Sequence, residues 1–154
     1  MEIRKAPELR VVGVEHRGPY PEIGRAFERL HALAGATGLH GPDRRLVAVY
    51  FDEGKNVPPQ EQRALAALTA PIGTPVSPPL TELRLAAGEY AVLRHVGPYA
   101  GLGAAYEWLL GTWLPRSGRA AADRPCYEVY LNTPMDATPE RLITDIHVPL
   151  ASAP

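Results

Sequence analysis

The feature that most constrains this chain is an internal repeat. Residues 16–30 read HRGPYPEIGRAFERL and residues 95–109 read HVGPYAGLGAAYEWL, identical at eight of fifteen positions at a constant offset of 79. The residues before them match in kind, Val11-Val12-Gly13-Val14 against Tyr90-Ala91-Val92-Leu93. Val49-Tyr50-Phe51-Asp52 then meets Val129-Tyr130-Leu131-Asn132, and Pro59 meets Pro139, both at an offset of 80. Matching blocks in the same order, with a one-residue slip, mean two copies of one unit. The repeats run over about 1–79 and 80–154, and a chain of 154 residues has the length of a single domain.

Each copy has the same local grammar. Residues 8–16 and 83–95 are rich in Val and Leu and alternate as strands do, and each run ends at Gly-Pro-Tyr. Pro in a first helical turn gives up an N–H that has no partner there anyway, so a helix is expected next, near 20–36 and 99–114. In the second helix Leu102, Tyr106, Leu109 and Trp113 form one apolar stripe, with Ile23, Phe27 and Leu30 corresponding in the first. Gly35 and Gly38 are expected to close the first helix and Pro115 the second. Strands follow at 45–52 and 125–132, then at 63–70 and 141–149. One such strand-helix-strand-strand unit buries too little to stand alone. The expected fold is therefore α+β: two tandem units joining their antiparallel sheets about a pseudo-twofold axis, with two helices and a central cleft between the repeats.

Composition narrows the function classes. Sixteen Lys and Arg against 17 Asp and Glu leave a net charge of −1, which argues against a protein that holds nucleic acid through a general basic field. A single cysteine, Cys126, excludes a disulfide framework and any multi-cysteine metal site. The N-terminus has no apolar signal core and no stretch is long enough to span a membrane, so a cytoplasmic protein is expected.

Function is expected where the copies disagree. Glu128 stands where the first repeat has Ala48, in an otherwise apolar strand, and alternation puts it on one face with Tyr130. A charge there must be paired, hydrated or used: either it meets an arginine across a wet face, or it is a site. Both tryptophans lie in the second repeat. Trp108 replaces Arg29 and sits off the apolar stripe, whereas Trp113 follows it, as core or as a pocket wall. With Tyr50, Tyr127 and Tyr130 they could box one carboxylate, an arrangement suited to flat, lipophilic and often cationic ligands.

Other candidates are weaker. His16 and His95 recur at equivalent strand ends, which favours a structural role in capping the turn over a metal site, and no third ligand is suggested. Cys126 reads as a small packing residue. Ser77, Ser117 and Ser152 lack a nucleophile-elbow context. No phosphate-binding loop, dinucleotide fingerprint or helix-turn-helix is present, and no cofactor is expected.

Three strings carry a family resemblance: the duplicated HxGPY block; Trp113-Leu114-Pro115-x-Ser117-Gly118; and Pro125-Cys126-Tyr127-Glu128-Val129-Tyr130-Leu131-Asn132 followed by Pro139-Glu140-x-Leu142-x-Thr144-Asp145-Ile146-x-Val148-Pro149. They resemble the GyrI-like small-molecule-binding family, related to the effector-binding domains of AraC-type and MerR-type multidrug regulators, over nearly the whole chain. The resemblance implies a cleft for lipophilic, frequently cationic compounds, with Glu128 inside it and Trp113, Trp108 and Tyr130 at aromatic positions. The first repeat departs from that pattern, with Ala48 for the glutamate and Leu65 opposite Asp145. Family members fall into three classes, and each sets an expectation. A stand-alone copy of an effector domain would bind small molecules and leave DNA contact to a separate regulator. A gyrase inhibitor would bind DNA gyrase. A hydrolase opening cyclopropane-bearing genotoxic natural products would use Glu128 as general acid or base. Small-molecule capture is the leading expectation.

Overall fold

The computed structural model describes residues 1–39, 41, 43–53 and 55–152. In chain order its elements are β1 (Glu2–Ala6), β2 (Leu9–Arg17), α1 (Gly24–Thr37), β3 (Leu46–Tyr50), β4 (Arg63–Thr69), β5 (Thr81–Leu85), β6 (Gly88–Val96), α2 (Leu102–Trp108), α3 (Leu114–Ser117), β7 (Cys126–Tyr130) and β8 (Ile143–Pro149). This is the α+β composition expected, with every described strand pair antiparallel.

The repeat has one strand more than its sequence suggests. Residues 83–95, expected as one run, break before Gly88, whose φ of 154° suits a residue without Cβ. The piece before the break is β5, the counterpart of β1 at offset 79. These leading strands are exchanged: β1 pairs with β6 of the second repeat, and β5 with β2 of the first. The compact units are accordingly Met1–Ala6 with Gly88–Pro154, and Pro7–Ala87. The sheet order is β1-β6-β8-β7 in the C-terminal unit and β5-β2-β4-β3 in the N-terminal unit.

Both units turn the corner from strand to helix in the same way. Gly18 and Gly97 adopt φ of 132° and 137° and donate their N–H groups to Gln62 and Leu142, each at 2.8 Å. His16 Nε2 and His95 Nε2 lie 3.1 and 3.0 Å from the carbonyl oxygens of Pro19 and Pro98. Each repeated histidine thus ties the turn to the end of its own strand.

Helices cover one face of each sheet. In the N-terminal unit α1 sets Ala26, Leu30 and Ala34 on Val12, Val14, Ala66 and Leu68. In the C-terminal unit Tyr106 and Leu109 pack on Ala91, Cys126, Ile146 and Val148. Leu30 and Leu109 share a repeat position and are almost fully buried, each contributing on the order of 2 kcal/mol.

The end of the second helix corrects the sequence reading. Pro115 does not close it. After α2 the chain widens into a π-helical turn, Leu109–Trp113, in which the N–H of Leu114 reaches back to Leu109. Pro115 then follows as the second residue of α3, directly after the widened turn. Gly118, at φ 75°, ends the helix, and Ser117 Oγ donates to the Leu114 carbonyl at 2.7 Å while accepting from the N–H of Arg119 at 3.0 Å. Among the described residues no helix is long and apolar enough to cross a membrane.

Candidate functional site: a buried glutamate between tyrosines

Period-two alternation along β7 places Cys126, Glu128 and Tyr130 on one face. Cys126 belongs to the helix-packed cluster, and Glu128 stands directly across from Ile146 of the same cluster. The glutamate therefore points toward the helix side of its sheet, where only 2% of its surface meets solvent. An ionised carboxylate in such surroundings is costly unless hydrogen-bonded. Two tyrosine hydroxyls supply the bonds. Tyr106, from the apolar stripe of α2, donates to Oε2 at 2.8 Å, and Tyr130 donates to Oε1 at 2.7 Å. Both are short bonds, and both donors are neutral hydroxyls.

A third ring extends the site outward. Tyr99 lies edge-on to Tyr130, with ring centroids 5.5 Å apart and planes 70° apart. Burial pushes the Tyr99 hydroxyl above its ordinary range, and the negative charges of Glu128 and then Asp136 push it further. Yet 38% of Tyr99 is exposed, so this ring leads from Tyr130 to solvent.

Thr144 shares the helix-facing side of the sheet. It alternates with Ile146 and Val148 along β8 and pairs directly with Tyr130 across the ladder. It is fully buried, and its Oγ1 has no hydrogen-bond partner.

The opposite face of this sheet uses its polar groups differently. Arg94 and Asp145, directly paired between β6 and β8, form a fork of two bonds at 2.9 and 3.0 Å. Tyr127 stacks on His147 with centroids 4.3 Å apart and planes 11° apart, and meets Tyr90 edge-on at 5.4 Å. Burial keeps the His147 imidazole below its ordinary value, opposed by the hydrogen bond between Nδ1 and the Asp145 carbonyl oxygen. Burial likewise drives the Tyr127 hydroxyl far upward.

Of the residues expected at the site, then, the fold brings Tyr130 onto Glu128 and packs Trp113 into the cluster that holds Tyr106. Tyr127 points to the other side of the sheet, because it is one residue out of phase with Glu128. Trp108 lies 41% exposed on α2, where two residues carry it about 200° around from Tyr106. Tyr50 belongs to the N-terminal unit, with its ring 4.5 Å from that of Tyr20. That unit also carries a shallow depression of about 400 Å³ lined by Val14, Glu15, Arg29 and Pro78–Thr81, which contains none of the expected site residues.

Tyr106, Tyr99 and Thr144 were not expected at the site from the sequence. Two of them left a signal in it: the first repeat has Phe27 for Tyr106 and Ala64 for Thr144, just as it has Ala48 for Glu128. Three polar groups of this face are thus absent together from the first repeat, which keeps tyrosines, Tyr50 and Tyr20, at the positions of Tyr130 and Tyr99. Among the described residues no cluster of three or more His, Cys, Asp or Glu side chains could hold a metal ion.

The second unit of this duplicated α+β fold thus seats one acid among aromatic rings. The chain belongs to the family described as the GyrI-like small molecule binding domain, whose model matches residues 1–151. A DNA gyrase inhibitor of Yersinia enterocolitica is 33% identical over 135 residues, 84% of each chain. A probable transcriptional regulator of Escherichia coli K12, YgiV, is 39% identical over 67 residues, 44% of this chain and 42% of its own. Among solved structures, the C-terminal domain of EcmrR matches with a TM-score of 0.75 at 16% identity, covering 99% of this chain and 97% of that one. In the EcmrR–DNA complex the match has a TM-score of 0.80 and spans 57% of the EcmrR chain, at 16% identity over 99% of this one. SAV2435, solved bound to tetraphenylphosphonium, matches with a TM-score of 0.67 at 15% identity, covering 98% and 93% of the two chains.

Proposed function

We propose that this protein captures lipophilic organic cations, with Glu128 as the counter-charge and Tyr99, Tyr130, Tyr106 and Trp113 as the aromatic surface. One observation carries the reading: a carboxylate almost wholly removed from solvent is held by two neutral hydroxyls. The carboxylate sits in a low-dielectric setting, where attraction to a cation is strongest. Aromatic faces add cation–π attraction and apolar contact. The tetraphenylphosphonium bound by SAV2435 is a ligand of this chemistry on the same fold.

The test compares tetraphenylphosphonium with neutral triphenylphosphine oxide by calorimetry. Glu128→Gln keeps the size of the side chain and removes its charge. Binding of the cation is expected to fall at least tenfold, and binding of the neutral compound less than twofold. Equal losses for both would reject the counter-charge role.

A second reading has a specific observation in its favour. A carboxylate flanked by hydroxyls is a proton-transfer arrangement, and one structural neighbour of 18% identity is a hydrolase from Listeria innocua. It requires a water adduct when the protein meets a cyclopropane-bearing alkylator, and loss of that product in Glu128→Ala. The curated relatives named DNA gyrase inhibitor add a third test, inhibition of gyrase supercoiling by the pure protein.

A further inference from the structure

The Thr144 hydroxyl is the polar group that the resting site leaves unexplained. It is fully buried and its Oγ1 has no hydrogen-bond partner, an arrangement that buried hydroxyls rarely adopt. Alanine would fit the strand, since the first repeat has Ala64 at this position. The hydroxyl is also not randomly placed. Thr144 pairs directly with Tyr130 across the ladder and lies diagonal to Glu128, which itself pairs with Ile146. Diagonal neighbours on one sheet face are within reach of a long side chain such as glutamate.

The two hydroxyls that hold Glu128 differ in burial. Tyr106 is buried within the helix-packed cluster. Tyr130 is only half-buried and backs onto Tyr99, which opens to solvent. A ligand approaching the carboxylate from solvent meets Tyr99 and Tyr130 first. Moving Tyr130 removes its hydroxyl from Oε1 and opens space directly beside Thr144.

We propose that Thr144 is the reserve donor of the site: when a ligand displaces Tyr130, the Thr144 hydroxyl takes its place on the Glu128 carboxylate and holds the charge in position. Thr144 is thus a positioning residue, idle in the empty protein and satisfied in the occupied one. This rests on the reading of Glu128 as a cation-binding carboxylate and assigns the second partner that carboxylate needs once occupied. The first repeat lacks the Glu128, Tyr106 and Thr144 polar groups together, with Ala48, Phe27 and Ala64 in their places.

The test is Thr144→Val, equal in shape but lacking the hydroxyl, with Thr144→Ser as the variant that keeps it. Removing an unsatisfied buried hydroxyl is expected to raise the melting temperature of the empty protein by roughly 3–6 °C. The same substitution is expected to weaken tetraphenylphosphonium binding by about tenfold, while triphenylphosphine oxide binding stays within twofold. Thr144→Ser is expected to retain the affinity of the parent. A purely structural role would move stability and affinity in the same direction. A lower melting temperature in Thr144→Val would show the hydroxyl already satisfied in the empty protein and overturn the proposal. Cation binding lost in Glu128→Gln but kept in Thr144→Val would overturn it and leave the counter-charge reading standing. Absence of cation binding by the parent protein would overturn both.

Discussion

Substituting Tyr106→Phe converts the second repeat toward the first, which has Phe27 at that position, and removes one oxygen atom. The atom donates at 2.8 Å to a carboxylate that is 2% exposed. A hydrogen bond to a buried charged group contributes about 1.5–3 kcal/mol, and the acceptor left behind has little water to turn to. For a chain of this size that corresponds to a fall in melting temperature of roughly 4–10 °C. Apolar packing is kept, since the ring stays in the cluster with Leu109, Ile146 and Val148. The decisive measurement repeats the substitution in a Glu128→Met background, where there is no longer a buried charge to satisfy. There Tyr106→Phe is expected to cost less than about 0.5 kcal/mol, because removing both partners of a buried polar pair is close to neutral. Urea midpoints at constant m-value, in a full double-mutant cycle, give the coupling. A cost that is the same in both backgrounds would refute the claim that Tyr106 acts on Glu128.

Other outcomes follow from the surrounding structure. Burial keeps His147 below its ordinary value, so on acidification the unfolded chain takes up a proton before the folded one. Its contribution is present in full above about pH 6.5 and is lost as pH falls below that, and His147→Phe, which keeps the stack on Tyr127, should flatten the decline in denaturation curves from pH 7 to 5; an unchanged slope would count against it. Gly13→Ala is expected to cost more than about 3 kcal/mol, because a Cβ there would overlap the carbonyl oxygen of Ala66 and come within 2.8 Å of the Ala67 Cα. A melting temperature within a few degrees of the parent would show that β4 can yield.

Much of this architecture was legible in the chain itself. The offset of 79 to 80 determined two copies of one unit, and the stripe Leu102–Tyr106–Leu109–Trp113 and the alternation in residues 126–130 fixed which faces are apolar. Those signals are local, since helix and strand periods act over a few residues. The same periods placed Glu128 and Tyr130 on one face and set Glu128 against Ala48 as the point of difference.

Tertiary structure decided what the period could not. Alternation distinguishes two faces of β7, but it does not say which residues of other elements meet each face. Only the packing of α2 on the sheet brings the Tyr106 hydroxyl to Glu128, and only the register of β7 on β8 sets Thr144 across from Tyr130. The exchange of β1 and β5 between repeats was equally hidden, because two copies of the same strand fit either partner by pattern alone. Tyr127 shows the limit most plainly. It is adjacent to Glu128 in sequence and of the right chemistry, yet a strand's period of two turns it to the other side, onto His147. The sequence by itself determined the repeat, the remaining strands, the starts of both main helices and the unmatched glutamate. Which hydroxyls hold that glutamate was decided in three dimensions, because hydrogen bonds depend on distances between elements that no local pattern encodes.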